Sequence, residues 1–332
     1  MCIRDRADPG TRGRSTLASR GGPRQILSTV ARRNPTLWLL RVAWLVLPLL
    51  VGPAVGEALE DRSSPMALVS QAGLWSCWAA GLVAVLVPSA LSLTVVRILA
   101  PLGVVAGVLA AVFGAGPTVT ALACGGTLLV ALIAFSAEVG LVLVQGSAYG
   151  DERRFLLRPP AALLVGPLPL AWALMAGPLV TGTLLVGARQ WVAGAVFVAV
   201  GALLVVLLAP RLHRLSCRLV VLVPAGLVVR DPLLLADTAM FRRPAVAGIS
   251  LALADTTAVD LTGRSLGNAV EVRLHDPGRL VAAGTLQDHQ GRLVEVQSFL
   301  VAPSRPGRLL TEAASRGYPV PGPAMATPPP ST

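Results

Sequence analysis

Two charged residues, Arg41 and Glu138, stand inside otherwise apolar stretches of this chain. A charge within a bilayer is costly and is normally paired or close to water, so each is a candidate site by default. The helix boundaries given below place both at a similar depth near the same membrane face. An ion pair between Arg41 and Glu138 that links two helices is one interpretation. Two others stay open: both side chains reach the interface independently, or Glu138 belongs to a proton or substrate relay.

A charged island, GDERRFLLRPP at residues 150–160, interrupts two long apolar runs. Its candidate binding residues are Arg153, Arg154 and Arg158. These arginines are suited to hold a lipid phosphate or to dock against an acidic face of a C-terminal domain, with the neighbouring acidic residues as counter-charge. The alternative is a solvated loop that only determines topology. The two prolines that close the island favour a shaped loop over a flexible tether.

Three histidines and four aspartates in the C-terminal third are the remaining candidates for metal or acid–base chemistry: His213, His275, His289, Asp231, Asp237, Asp255 and Asp260. The aspartates fall where short apolar runs end, as turn residues do. We therefore assign no catalytic, metal or cofactor-binding residue. A phosphate-binding GxxxxGK[ST] loop is excluded because the chain contains no lysine, and HExxH does not occur.

The elements that must position these residues are mainly membrane helices. The chain is 54% hydrophobic and 14% charged, whereas soluble domains contain about 25% charged residues. A spanning helix needs about 20 apolar residues. Six such runs are predicted: Leu37–Val55, Met66–Val87, Ile98–Gly114, Val119–Val142, Ala161–Val186 and Trp191–Leu208.

Arginine placement predicts the orientation, because basic residues in short loops stay in the cytoplasm. With six spans, one side holds fifteen arginines, including Arg97 in a predicted turn, the island and the cluster Arg211, Arg214 and Arg218. The other side holds only Arg62 and Arg189. We therefore expect a multi-pass protein of the plasma (inner) membrane with both termini in the cytoplasm.

The fold class predicted is an all-α membrane bundle followed by a small cytoplasmic β-rich domain. Short β-branched runs broken by Pro, Gly and Asp begin after residue 210, VEVRLH alternates as a half-buried strand does, and one amphipathic helix follows. The predicted organisation is a disordered basic segment 1–35, a six-helix domain 36–210, a β-rich domain 211–317 and a Pro-rich disordered tail 318–332.

Small residues recur in the helices, and Gly103 with Gly107 forms a GxxxG pattern in the third. Such residues allow helix backbones to approach closely. The pattern fits ordinary packing within the bundle, and the alternative is a dimer face.

The segments AYGDERRFLLRPP, VPAGLVVRDPLLLADTAMFRR, DLTG and FLVAPSRPGRLLTEA resemble a family of uncharacterised multi-pass membrane proteins of actinobacteria, over most of residues 36–318. The resemblance implies architecture and no catalytic residues. The order of strands followed by one helix is, separately, similar to bacterial pleckstrin-homology-like (PH-like) domains.

We expect a non-enzymatic scaffold or regulatory subunit whose β-domain binds protein or lipid. The expected partners are membrane lipids and a protein at the β-domain, rather than nucleic acid, because basic segments near a membrane are attracted to anionic headgroups. The alternative is a transporter or channel component that uses the helix bundle, with Arg41 and Glu138 near its cytoplasmic vestibule. A membrane-embedded enzyme ranks third.

Overall fold

The computed structural model describes residues 35–284 and 291–321. From Thr36 onward the described chain forms one compact unit. The predicted disordered segment 1–35 lies outside the described residues except for its last position, and so does most of the predicted tail.

Eight of the helices in the described residues lie in the first two thirds of the chain, and the ninth follows the last strand. They are α1 Pro35–Leu59, α2 Ser64–Leu86, α3 Ala90–Val112, α4 Pro117–Phe135, α5 Ala137–Gln145, α6 Ala161–Val165, α7 Pro167–Gly187, α8 Trp191–Ser216 and α9 Pro306–Ser315. In the part of the chain that the structure describes, α1 to α4, α6 taken with α7, and α8 give six helices long and apolar enough to cross a membrane, which confirms the predicted number. Proline in the first turn of α2, α4 and α7 suits a position that needs no backbone N–H donor.

The fourth predicted run, Val119–Val142, is not one continuous helix. It divides at Ser136, whose backbone is extended and whose hydroxyl accepts a hydrogen bond from the Val139 N–H at 3.3 Å. Ser136 thereby caps α5. Glu138 lies in the first turn of α5, where the helix dipole favours a carboxylate.

The predicted turn at Arg97 is also wrong, because α3 begins at Ala90 and contains Arg97. Ser89 caps this helix by accepting a hydrogen bond from the Ser92 N–H at 3.0 Å. At the other end of the bundle domain, α8 continues to Ser216, beyond the predicted domain boundary at residue 210. Its extension includes Pro210, which bends or weakens a helix without always ending it.

Within the described residues, eight strands form two four-stranded sheets. The strands are β1 Arg153–Leu156, β2 Leu219–Val223, β3 Gly226–Arg230, β4 Ala239–Arg242, β5 Val246–Leu251, β6 Val259–Asp260, β7 Val270–Ala282 and β8 Arg292–Val301. The orders are β1-β2-β3-β4 and β5-β7-β8-β6. We call β1 to β8 with α9 the β-region. Strands β2 to β8 and α9 follow the apolar helices, which confirms the predicted order of the two parts, whereas β1 precedes α6.

The β-region stands at one end of the helix bundle, which we call the β-end. The α2–α3 turn, α5 and the end of α8 lie there. The turns at the opposite, far end hold one another: Glu57 Oε2 accepts a hydrogen bond from the Gly116 N–H at 2.8 Å, and Ser63 Oγ lies 3.5 Å from the Gly187 carbonyl oxygen. The helices thus traverse the bundle alternately.

Glycines set the closest helix pairs. A Cβ on Gly182 or Gly194 would meet backbone of the facing helix at 2.7 or 2.8 Å, so α7 and α8 pack almost backbone to backbone. The GxxxG pair Gly103 and Gly107 packs against α4, where a Cβ on Gly107 would lie 2.8 Å from Cys124 Sγ. Within this chain, the pattern therefore serves α3–α4 packing.

The predicted disordered tail begins too early. Tyr318 is buried in the core of the β-region, and the Ile249 N–H donates to the Pro319 carbonyl at 2.9 Å, which holds the chain after α9 along β5. A Pro-rich composition suggested disorder from residue 318. The free energy gained by burying the Tyr318 ring outweighs the conformational entropy lost when this part of the chain is ordered.

Candidate functional site

The charged island forms a strand of the β-region. Its residues Arg153–Leu156 are β1, which pairs antiparallel with β2 in the register Arg153↔Leu222 to Leu156↔Leu219. Phe155 and Leu156 are buried in the core, while Arg153 and Arg154, the two residues before them in the strand, are half-buried. The island is therefore a strand and not the loop that the sequence predicted, and the chain between α5 and α6 is part of the sheet.

Two of the candidate arginines make ion pairs at the edge of this strand. Arg153 Nε lies 3.5 Å from Glu312 Oε1 of α9, and Arg154 Nη2 lies 2.9 Å from Glu152 Oε2. The Arg153 contact therefore lies within the β-region, between β1 and α9. Both pairs are partly exposed, so each contributes little to stability.

Arg158 lies where the island leaves the β-region. Its backbone N–H donates to the Ala302 carbonyl at 2.8 Å, and its guanidinium Nη2 donates to the Asn268 carbonyl. Its Nε is buried and has no hydrogen-bond partner among the described residues. Burial lowers the pKa of this guanidinium below its ordinary value. Arg158 is thus half-buried at the point where the island leaves the β-region.

A short loop with G-x-S-x-G spacing surrounds Arg158, and sequence reasoning overlooked it. The residues are GRSLG, 263–267; three of them have positive φ angles, Gly263 (64°), Arg264 (56°) and Gly267 (90°). A nucleophilic serine in this motif needs a strand-to-helix turn, whereas this loop joins β6 to β7. Ser265 Oγ is buried without a hydrogen-bond partner in the described chain.

The most enclosed charges of the β-region belong to a pair that the sequence did not reveal. Arg218 and Asp231 have 0% exposed side chains, and Arg218 Nη2 lies 2.7 Å from Asp231 Oδ2. Arg218 Nε lies 3.0 and 2.9 Å from the two carboxylate oxygens, so the contact is bidentate. Sequence reasoning had put Arg218 in a topology-determining cluster and Asp231 in a turn.

Further hydrogen bonds make this pair a junction between distant segments. Arg218 Nη1 donates to the Arg158 carbonyl at 2.6 Å, and its Nη2 lies 3.4 Å from the Thr262 carbonyl. The Leu233 N–H donates to Asp231 Oδ1 at 3.1 Å. We call these groups the Arg218 node. The node connects the segment that follows β1, the start of β2, the end of β3 and the loop before β7. Its role is therefore structural.

The predicted pair between Arg41 and Glu138 is not formed. Arg41 Nε and Nη2 donate to the carbonyls of Val85 and Leu86 at 3.2 and 3.4 Å, at the C-terminal end of α2. Its guanidinium also stacks 5.2 Å from the Trp38 ring centroid. A cation is favourable at carbonyls that end a helix, because they have no partner within the helix. Similar depth in the bundle was therefore not enough to bring Arg41 to Glu138.

Glu138 instead contacts the helix at the end of the β-region. Its carboxylate lies 2.9 Å from Arg305 Nε and 2.6 Å from Arg308 Nη1. Its side chain is 23% exposed, and those of Arg305 and Arg308 are 51% and 58% exposed. We call these three residues the α9 clasp. It joins the segment after the fourth spanning-length helix to the C-terminal helix.

His213 lies in a small polar cluster where α8 meets α3. Its Nδ1 is 2.8 Å from Thr94 Oγ1, its Nε2 is 3.4 Å from Cys217 Sγ, and Thr94 donates to Ser216 Oγ at 2.9 Å. A thiol beside an imidazole is a nucleophile–base arrangement. Burial, however, raises the pKa of the Cys217 thiol, partly offset by Arg230, which disfavours the reactive thiolate.

The other candidate histidines and aspartates are not assembled with His213. His275, Asp237, Asp255 and Asp260 are exposed, and His289 lies outside the described residues. Within residues 35–284 and 291–321, no group of three His, Cys, Asp or Glu side chains is placed to hold a metal ion.

A cavity of about 520 Å³ opens within the helix bundle, between α1 and helices α2, α3 and α7. Its walls are mostly Ala, Val, Leu, Gly and Trp, and Arg62 is the charged residue among its described lining. Pro48 lines it, but Arg41 and Glu138 do not. We call it the α1 cavity.

The chain matches no protein-family model, no curated protein and no solved structure in comparisons with each. The resemblance to an actinobacterial membrane protein family and the likeness to PH-like domains stay predictions.

Proposed function

We propose that this chain is an inner-membrane protein with both termini in the cytoplasm, and that its β-region is a non-enzymatic module that binds protein or lipid. It would act as a scaffold or a regulatory subunit. The six spanning-length helices support the membrane part of this proposal. Arg97 and the island lie toward the β-end, whereas Arg62 and Arg189 lie at the far end, in keeping with a cytoplasmic β-region.

The observation that carries the proposal is β1. Because the chain between the fourth and fifth spanning-length helices supplies a strand of the sheet, the β-region is attached to the bundle by more than the single connection after α8. The α9 clasp adds a contact to α5. A partner bound to the β-region is therefore held at a fixed place relative to the helices, and its binding can bias their arrangement.

The candidate interaction surface lies on the connection between β5 and β7. Leu253 and Leu266 there are 71% and 70% exposed, and Leu251 at the end of β5 is exposed as well. The pairing Leu251↔Val270 brings the two ends of this connection together. Its contacts with Arg158 and Pro160, just before α6, place it on the side of the β-region nearest the bundle. We infer that these exposed leucines form one apolar patch, because contiguous apolar patches mark interaction sites.

The test is affinity purification in mild detergent, followed by mass spectrometry of the proteins and lipids that co-purify. Deleting residues 211–332 would leave β1 without β2, so point variants are preferable. We compare the wild type with Leu253→Ser/Leu266→Ser and with the control Leu293→Ser, an exposed leucine at the opposite end of the second sheet. Loss of a partner only in the double variant supports the proposal. Identical recovery from all three contradicts this surface.

The alternative, a transporter or channel component, has the α1 cavity in its favour. The apolar lining does not suit an ion or a polar solute, and the Glu138 carboxylate faces α9 rather than the cavity. A liposome flux assay with and without Glu138→Gln tests it, since transport through a Glu138 relay would be lost in that variant.

A further inference from the structure

We propose that the α1 cavity binds an acyl chain of a membrane phospholipid. This inference concerns the helix bundle and goes beyond the function proposed for the β-region. The cavity volume of about 520 Å³ lies within the range of roughly 300–1,000 Å³ that is typical of ligand sites. Its lining is mostly apolar, with Ser70, Gln71, Thr127 and Thr183 among the exceptions, which suits an extended hydrocarbon chain better than water.

Glycine backbone forms part of the cavity wall. Gly52 and Gly56 lie one turn apart on α1, and Gly73 lies on α2. All three line the cavity, and a Cβ built on any of them meets no atom within 4 Å. These glycines contrast with Gly182 and Gly194, whose missing side chains are used for helix contact. At the cavity, small residues provide width for a ligand.

Specific hydrogen bonds hold α1 on both sides of this wide section. Toward the β-end, the Trp44 and Trp78 indoles are reciprocally bonded: each Nε1 donates to the other residue's carbonyl, at 3.0 and 2.9 Å. At the far end, Glu57 accepts from the Gly116 N–H at 2.8 Å. Since hydrogen bonds fix α1 at both levels, the gap between α1 and the facing helices is a feature of how the bundle is built.

The surroundings and the charge at one end identify the occupant. The lining helices are long and apolar enough to cross a membrane, so the molecules that reach the cavity from the side are lipid chains. Arg62 lines the far end, with its guanidinium 5.2 Å from the Phe113 ring centroid. A cation at the end of an apolar cavity suits a phospholipid whose acyl chain lies in the cavity and whose phosphate contacts that cation.

Native mass spectrometry of the full chain in mild detergent tests this proposal. The purified protein is titrated with a palmitoyl-oleoyl phosphatidylglycerol, and bound lipid is counted after collisional removal of detergent. The test variants Gly52→Leu and Gly73→Leu fill the cavity from opposite walls. The matched control Gly125→Leu places the same side chain on α4, where the space beside it is equally open but is outside the cavity.

We expect the wild type and Gly125→Leu to retain one phospholipid with equal affinity, and each cavity variant to bind it about tenfold more weakly. Arg62→Gln should weaken binding less than either cavity variant, because the chain contacts remain. Equal retention by wild type and both cavity variants would overturn the proposal. So would equal loss in Gly125→Leu, which would assign the lipid to the outer surface of the bundle. Unchanged thermal unfolding of the variants confirms that they fold; if one does not fold, the variant on the opposite wall decides.

Discussion

The Arg218 node and the α9 clasp use the same two chemical groups, arginine and carboxylate, to join segments far apart in sequence. In the node both side chains are fully enclosed, and every carboxylate oxygen has a partner. In the clasp, water reaches both arginines. Enclosure makes the node intolerant of losing one partner, whereas solvent screening makes the clasp adjustable. The difference suggests that the node fixes the fold of the β-region and that the clasp can open while this fold persists.

The largest expected effect is at the node. Arg218→Met leaves the Asp231 carboxylate buried without its counter-charge, so we expect a loss of about 3–5 kcal/mol in the free energy of unfolding. Arg218→Met/Asp231→Leu should recover most of that loss, because it removes both charges. Denaturant titration of the purified protein in mild detergent measures both. A double variant as unstable as the single one would show that the charges themselves matter less than the bonds to Arg158 and Thr262.

An intermediate effect is expected inside the bundle. Trp44→Phe and Trp78→Phe each remove one of the two reciprocal hydrogen bonds, and such bonds between apolar helices contribute about 0.6 kcal/mol, at most about 2. The same titration measures each loss. A loss as large as that of Arg218→Met would erase the distinction between the node and other polar contacts.

The α9 clasp should give a smaller change. We expect Glu138→Gln to lower stability by about 0.2–1 kcal/mol and less at high salt, as for partly exposed ion pairs. In double-mutant cycles, Glu138→Gln should couple to Arg308→Gln and be additive with Arg41→Leu. Coupling to Arg41 alone would instead support the pair that the sequence suggested.

The smallest change in stability is expected from deprotonation of the Cys217 thiol, which precedes Arg218 in the chain. Burial raises the pKa of its thiol, so iodoacetamide should modify it more slowly in the folded than in the urea-unfolded protein, with the pH profile displaced upward. Because the thiol pKa is higher in the folded than in the unfolded protein, the free energy of unfolding is highest below the ordinary thiol pKa. It falls as the pH rises from that pKa through the folded value. Variants of the other three cysteines isolate the signal. Equal rates in both states would contradict an enclosed thiol.

Hydropathy could predict the number of spanning-length helices, because each run is bounded locally by charge, Pro or Gly. It failed at Ser136, where a local cap outweighs a continuous apolar run, and at Arg97, where a helix includes a charge. The strands after α8 were predicted from their alternation and turn residues. β1 was missed because its four residues look like a topology signal, and its partner β2 follows three helices later.

The ionic contacts could not be predicted for a similar reason. Arg218 and Asp231 are ordinary residues in sequence, and only pairing of the two strands encloses them. Glu138 was recognised as unusual, but its partners belong to α9 near the end of the chain. The Arg41 prediction considered depth along the helix axes and had no information on which helices face each other.

The position of β1 also constrains how this protein is made. A ribosome releases Phe155 and Leu156, which are buried in the finished sheet, before α7, α8 and β2 exist. Until then these apolar side chains have no partner strand, so we expect a chaperone or the insertion machinery to bind them. Completion of the sheet therefore reports that the last two apolar helices have been inserted, and a chain that stalls earlier displays an unpaired strand that quality control can recognise.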